Sequence, residues 1–266
     1  MASILDRYGI KEVADVTFYE INEDGTPGKP VLYLDTLKVS TIEQTAETAE
    51  ARGGKGNPML VSWDFGKDIN LSIEDALFSP KSMAIMLGDG NVADLTENTT
   101  IEKTARARVV VEEEEKKFKF MADVYDPNKG ADRKEIVVTA ATSNLALTDG
   151  LTFVAVYDEL GEKLESIPED GYVFIRYKQN INGRKIEISA DSFPGTYYVT
   201  GDTYARSDVT GKDQFFRFIV YKAKMQAENT ITLEAEGDPS VFNMSLRVLR
   251  PDNGVMMDLI QYELEA

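Results

Sequence analysis

The 266-residue sequence contains no cysteine and no histidine. The first absence removes disulfides, thiolate nucleophiles and Cys-ligated zinc or iron–sulfur sites. The second removes the side chain whose unperturbed pKa lies nearest neutrality. A Ser–His–Asp triad, a Cys–His dyad and an HExxH zinc helix are therefore excluded. Carboxylate pairs, Lys or Tyr bases and oxygen-liganded metals are the chemistry that remains. Basic residues are also scarce: 29 Lys and Arg against 46 Asp and Glu leave a formal charge of −17. Such a balance argues against gripping nucleic acid, which needs clustered cations, and favours solubility, repulsion of polyanions or a basic partner. No apolar run approaches the ~20 residues of a membrane-spanning helix. The stretch MASILDRYGIKEVADV places Asp6 and Lys11 where a signal peptide needs unbroken apolar residues. The expectation is a protein made in the cytoplasm and not exported by a standard route.

What is present is alternation. VLYLDTLKVS (31–40) puts Val31, Tyr33, Leu37 and Val39 on one side and Leu32, Leu34, Thr36 and Lys38 on the other, with Asp35 the single interruption. Period-two stretches recur at 16–21, 59–65, 67–73, 107–113, 118–124, 134–140, 151–158 and 171–178, and then at 195–205, 215–224, 229–237, 241–249 and 255–264. They are short, rich in Val, Ile, Tyr, Phe and Thr, and separated by turn chemistry such as EDGTPGKP, TDG, INGRK and GDPS. This spacing predicts a mainly β fold, a sandwich or barrel with long loops, in one domain over 1–266 with an elaboration at about 100–150. One helix is predicted in DALFSPKSMAIMLGDG (75–90). Ser79 is its N-cap, Pro80 its first residue and Gly88 its left-handed C-cap, and Met83, Met86 and Leu87 form an apolar stripe. TIEQTAETAEA (41–51) is compatible with a helix or with a loop.

Candidate chemical sites read poorly. The segment Arg52, Gly53, Gly54, Lys55, Gly56, Asn57, Pro58 has the glycines and cations of a phosphate cradle, but no Gly-Lys-Ser/Thr occurs and a strand follows Pro58. It reads as a glycine bend or as an intersubunit contact whose cations meet carboxylates. Glu112 to Glu115 alternate across a strand, so their carboxylates diverge and a solvated hairpin end is the better reading. Residues 123–132 lack EF-hand spacing and read as a polar turn. Asp64, Asp68, Glu74 and Asp75 raise the idea of a paired-carboxylate glycosidase, though nothing in the sequence sets a working distance. No catalytic, cofactor or metal residue is assigned.

Two stretches carry a resemblance. ARGGKGNPMLVSWDFGKDINLSIEDALFSPKSMAIMLG (51–88) resembles the N-terminal half of bacteriophage tail tube proteins of long-tailed phages, in the order glycine-rich loop, Trp-Asp strand, next strand and Asp-Ala-Leu helical turn. FFRFIVYKAKMQAENTITLEAEGDPSVFNMSLRVL (215–249) is similar to the C-terminal hairpin of the same family. The resemblance implies a β-sandwich or barrel subunit with one flanking helix. It further implies assembly in stacked hexameric rings around an acidic lumen through which DNA passes without specific binding, a fold shared with the needle of type VI secretion systems. The implied partners are further copies of the chain, a tape-measure protein, and sheath and baseplate proteins; the implied location is the virion tail. Arg52 to Pro58 becomes an intersubunit element, and Glu234, Glu236 and Asp258 become candidates for the lumen wall. The alternatives are another tube-like tail component (terminator, baseplate hub or minor tail protein), a carbohydrate-binding β-sandwich, or a carboxylate-pair enzyme.

Overall fold

A computed structural model describes residues 7–10, 12–88, 91–141, 151–228 and 241–264, without the side chains of 97 and 98. In chain order the elements are β1 (Tyr8–Ile10), β2 (Asp15–Ile21), β3 (Pro27–Leu34), β4 (Leu37–Arg52), β5 (Met59–Asp75), α1 (Pro80–Leu87) and β6 (Ala93–Glu112). They continue with β7 (Glu115–Asp126), β8 (Gly130–Thr139), β9 (Leu151–Tyr157), β10 (Gly171–Lys185), β11 (Thr196–Ser207), β12 (Asp213–Met225), β13 (Phe242–Val248) and β14 (Met257–Tyr262). The fold is mainly β, in two antiparallel sheets with one helix among the described residues, as the alternation predicts.

The chain divides into two compact units, Met1–Val92 with Ile186–Ala266, and Ala93–Lys185. The larger holds a nine-stranded sheet in the order β3-β2-β11-β12-β13-β5-β4, with β1 on β11 and β14 on β12. One face of this sheet is buried. Phe18, Leu71, Ile73, Met225, Met244 and Leu246 pack there against Ile85 and Met86 of α1, and Phe18 meets Tyr197 edge-on at 5.9 Å. At Gly201 the ring of Phe218, its cross-strand neighbour, lies where a side chain would be: a Cβ would stand 2.1 Å from Phe218 Cε1. Only glycine lets the aromatic ring lie across the strand there.

The smaller unit is a five-stranded sheet, β8-β7-β6-β10-β9. It has its own core, in which Phe118 stacks on Phe153 at 6.1 Å beside Phe120, Val173, Ile175 and Tyr177. Acidic excess is distributed unevenly between the units. Residues 1–92 and 186–266 carry 28 Asp and Glu against 15 Lys and Arg, whereas 93–185 carry 18 against 14.

Local expectations meet the structure with several corrections. Ser79 caps α1 as predicted, accepting from the Ser82 N–H at 3.0 Å while Ser82 Oγ accepts from the Ser79 N–H at 2.9 Å. Gly88 does not take the left-handed conformation, since its φ of −172° is extended. The buried face of α1 is wider than the predicted stripe and includes Ala84 and Ile85. Residues 31–40 are two strands, broken at Asp35 and Thr36 where the chain passes from β3 to β4. Residues 41–51 are neither helix nor loop: they form β4, because pairing with β5 along almost its whole length outweighs the weak local preference of Thr and Glu. INGRK is not a turn but the end of β10, where a register shift between Ile181 and Gly183 absorbs the irregularity. The predicted strand 229–237 and the TDG and GDPS turns lie outside the described residues.

Candidate assembly surface

Strands β4 and β5 are 16 and 17 residues long, far beyond the neighbours that shelter them. On the β5 side, β13 pairs only with Asn70 to Asp75, and β4 ends the sheet. Beyond Ile69, therefore, the hairpin runs on as a two-stranded ribbon with no third strand among the described residues. Every residue of β4 from Thr41 to Glu50, and every residue of β5 from Met59 to Lys67, is exposed.

The sidedness of this ribbon depends on Gly66. In the sheet-bound half, Ile73, Leu71 and Ile69 pair with Ser40, Ile42 and Gln44 and face the core. Between the pairs Thr45↔Asp68 and Glu47↔Phe65 strand β5 has one residue more than β4, and Gly66 takes φ +62°. This bulge shifts the phase of β5 by one. Phe65, Trp63 and Val61 then pair with Glu47, Ala49 and Ala51, on the side away from the core face. The ribbon thus presents an aromatic row with Val61, Trp63 and Phe65 exposed by 47, 56 and 52%. Its other face is mainly polar, with Leu60 exposed near the tip: Thr48 donates to Asp64 at 3.3 Å, and Arg52 pairs with Glu50 at 2.6 Å.

Arg52 to Pro58 close this ribbon. Gly54, Gly56 and Asn57 have φ of +87, +88 and +50°, and the Gly53 N–H donates to the Pro58 carbonyl at 3.2 Å. The loop joins two strands with no helix N-terminus behind it, so the framework that a phosphate cradle requires is not there. Lys55 projects from the tip and is exposed.

The acidic candidates separate. Glu234 and Glu236 lie outside the described residues. Asp258, on β14, accepts a 2.5 Å hydrogen bond from the Tyr221 hydroxyl, and that bond together with burial pushes Tyr221 up to about 12. Register places Asp258 on the sheet face away from the core. One row there reads Thr17, Thr200, Ile219, Asp258 across β2, β11, β12 and β14; the next reads Asp15, Asp202, Arg217, Ile260. Within the second row Arg217 bridges to Asp202 through two bonds of 2.6 and 2.8 Å.

Other carboxylates are occupied structurally. Asp68 accepts from Arg247 at 2.9 Å, and buried Asp75 accepts from Thr36 at 2.6 Å. Glu112 accepts from Lys119 at 2.5 Å and more weakly from Lys117, which holds its carboxyl below the usual range. Asp123 is held low in the same way by Lys103 and Arg133. Glu113 and Glu114 form the tip of the β6–β7 hairpin with positive φ, the solvated end that the sequence predicts. Among the described residues, no group of three or more acidic side chains is placed to hold a metal ion, and no helix is long and apolar enough to cross a membrane.

The aromatic row was the feature hidden from sequence reading. Its only signal was Trp63 and Phe65 alternating beside a glycine, which reads equally well as core. No curated protein matches the chain. Compared with known families, residues 8–261 match throughout the two-unit architecture described above, and the chain belongs to the YomU/Tube protein family.

Proposed function

We propose that the chain is a tail tube subunit that self-assembles into stacked hexameric rings, forming the conduit through which a phage ejects its DNA. Family membership supports the coarser statement, a structural protein of the phage tail tube. The assembly itself is supported by the distal β4–β5 ribbon. A two-stranded hairpin is marginal in water, and exposing three large apolar side chains on one face is costly unless another surface covers them. A subunit built this way is completed by its neighbours. In this reading Arg52 to Pro58, at the ribbon tip, form the intersubunit element, and the chain has no enzymatic role.

The sheet face bearing Asp15, Asp202 and Asp258 forms the lumen wall, with Glu234 and Glu236 contributing from the same unit. Asp and Glu outnumber Lys and Arg most strongly in that unit, and an acidic wall repels DNA phosphates over roughly 8 Å at physiological salt. The elaboration expected at about 100–150 falls within the 93–185 unit. The tail partners of the whole subunit are further copies of itself, a tape-measure protein, and sheath and baseplate proteins, and it is made in the cytoplasm of the bacterial host.

Electron microscopy of the purified protein tests this directly. Rings or tubes are expected from the full chain, and a folded but non-polymerising subunit from deletion of Gly53 to Asn57. A protein that stays monomeric across concentration and salt sinks the tube reading; normal tubes from the deletion remove the loop from the interface.

A further inference from the structure

We propose that Asn182 is a site of spontaneous covalent modification, at which the Gly183 nitrogen displaces the side-chain amide and converts the residue to aspartate and isoaspartate. The INGRK segment has the composition of a turn but lies within β10, and Asn182 is the residue that its ladder with β6 leaves out. Ile181 pairs with Thr99 and Gly183 with Leu95, so Asn182 stands opposite Thr96 to Asn98 with no partner in the register. Asn182 and Gly183 are both exposed. Among the described residues the Asn182 side chain has no hydrogen-bond partner.

The reaction needs only water. The Gly183 nitrogen attacks Asn182 Cγ and loses its proton; the Cγ–Nδ2 bond breaks, and that proton leaves with the amide nitrogen as ammonia. The product is a cyclic imide in which the Gly183 nitrogen joins Cγ to the backbone carbonyl carbon of residue 182. Water then opens one of the two bonds to that nitrogen. Breaking the bond to Cγ gives aspartate in a normal backbone; breaking the bond to the carbonyl carbon gives isoaspartate, whose backbone runs through Cβ and Cγ. Nothing is oxidised or reduced. A side chain on the following residue would crowd the attacking nitrogen, and glycine has none. The fold itself does not demand glycine there: its φ lies outside the left-handed region, and a Cβ at Gly183 would meet nothing within 4 Å.

The second Asn-Gly of the sequence, Asn253-Gly254, is in the opposite situation. Asn253 Oδ1 accepts from the Val255 N–H at 3.0 Å, and the Gly254 N–H donates to the Pro251 carbonyl at 3.0 Å. A turn thus holds both the side chain and the attacking nitrogen there. At Asn182 the consequence falls on the end of the β10–β6 ladder. Beyond the bulge Gly183, Arg184 and Lys185 pair with Leu95, Asp94 and Ala93, and the last pair joins the two ends of the smaller unit. Isoaspartate adds a methylene to the backbone at the bulge, which shifts these pairs against the rest of the ladder. Aspartate leaves the backbone length unchanged and adds a negative charge.

The test follows both sites in the full chain, incubated in warm, mildly alkaline buffer either folded or in guanidinium chloride. Mass spectrometry of tryptic peptides reads the gain of one mass unit, and isoaspartyl methyltransferase labelling reads the isoaspartate. In the folded protein Asn182 is expected to convert several-fold faster than Asn253, and the ratio should fall toward parity in guanidinium chloride, where the turn is gone. Gly183→Ala, checked for folding by circular dichroism, should slow conversion at Asn182 several-fold and leave Asn253 unchanged. Conversion at Asn253 as fast as at Asn182 in the folded chain overturns the proposal, as does an Asn182 amide that survives while the unfolded control converts. A ratio just as large in guanidinium chloride would assign the preference to neighbouring sequence and overturn the role given to the bulge. A Gly183→Ala chain that converts at the unmodified rate would overturn attack by the Gly183 nitrogen in favour of direct hydrolysis.

Discussion

Replacing Trp63 by alanine should leave folding intact and cripple assembly. In the free subunit the side chain is 56% exposed and sits on a ribbon with no core beneath it. Of the 150–250 Å² an aromatic side chain typically buries, on the order of 100 Å² is thus still available for a neighbour. At ~25 cal/mol per Å² that amounts to about 2.5 kcal/mol per contact, or about a 60-fold change in affinity at 1.4 kcal/mol per factor of ten. The critical concentration for polymerisation should rise by about that factor in a sedimentation assay, with Trp63→Phe falling between the two. Thermal unfolding of the isolated subunit should move by no more than an exposed substitution does, within roughly 0.5 kcal/mol. Assembly at the unmodified critical concentration would refute the reasoning. So would a collapse of thermal stability, because it would mean that Trp63 packs within its own subunit.

Further outcomes follow from the core and the charged pairs. Gly201→Ala drives a methyl into the buried ring of Phe218, and overpacking of this kind should cost about 1–3 kcal/mol in denaturant unfolding; a neutral result would mean the ring has room to move. Ser79→Ala removes one half of the reciprocal cap on α1 and should cost ~1 kcal/mol by the same assay. Tyr221 should hold its proton up to about 12 in the folded protein, against roughly 10 when unfolded. Between those values the folded state binds the extra proton, so this contribution is complete below pH ~10 and is lost as pH rises toward 12. Asp258→Asn should lower the tyrosine's midpoint, read by tyrosinate absorbance; an unchanged midpoint would show that burial alone sets it.

Several features could be read from local chemistry. The cap at Ser79 and Pro80 and the hairpin end at Glu113 and Glu114 depend on residues within a few positions of one another. They appear where the sequence puts them. The resemblance carried by residues 51–88 and 215–249 also led to the family that the match over residues 8–261 shows. The strand assignment of 41–51 could not be read, because Thr and Glu have no strong preference and the deciding partner, β5, is contributed by the next strand. The fate of Gly88 escaped for a similar reason. A glycine after a helix permits the left-handed cap without requiring it, and here the chain leaves extended.

By itself the sequence determined the class of molecule: alternation made it β, and the missing cysteine and histidine removed most catalytic chemistry. Its acidic surplus set the sign of its field. Tertiary structure decided which surfaces that molecule presents. Val61, Trp63 and Phe65 share odd numbering with Ile69, Leu71 and Ile73, and period-two reading puts all six on one buried face. One extra residue at the Gly66 bulge divides them into a core row and an exposed row on the opposite side. A strand's sidedness is fixed by its register against a partner, and register is a property of two segments at once, which no single stretch of sequence contains.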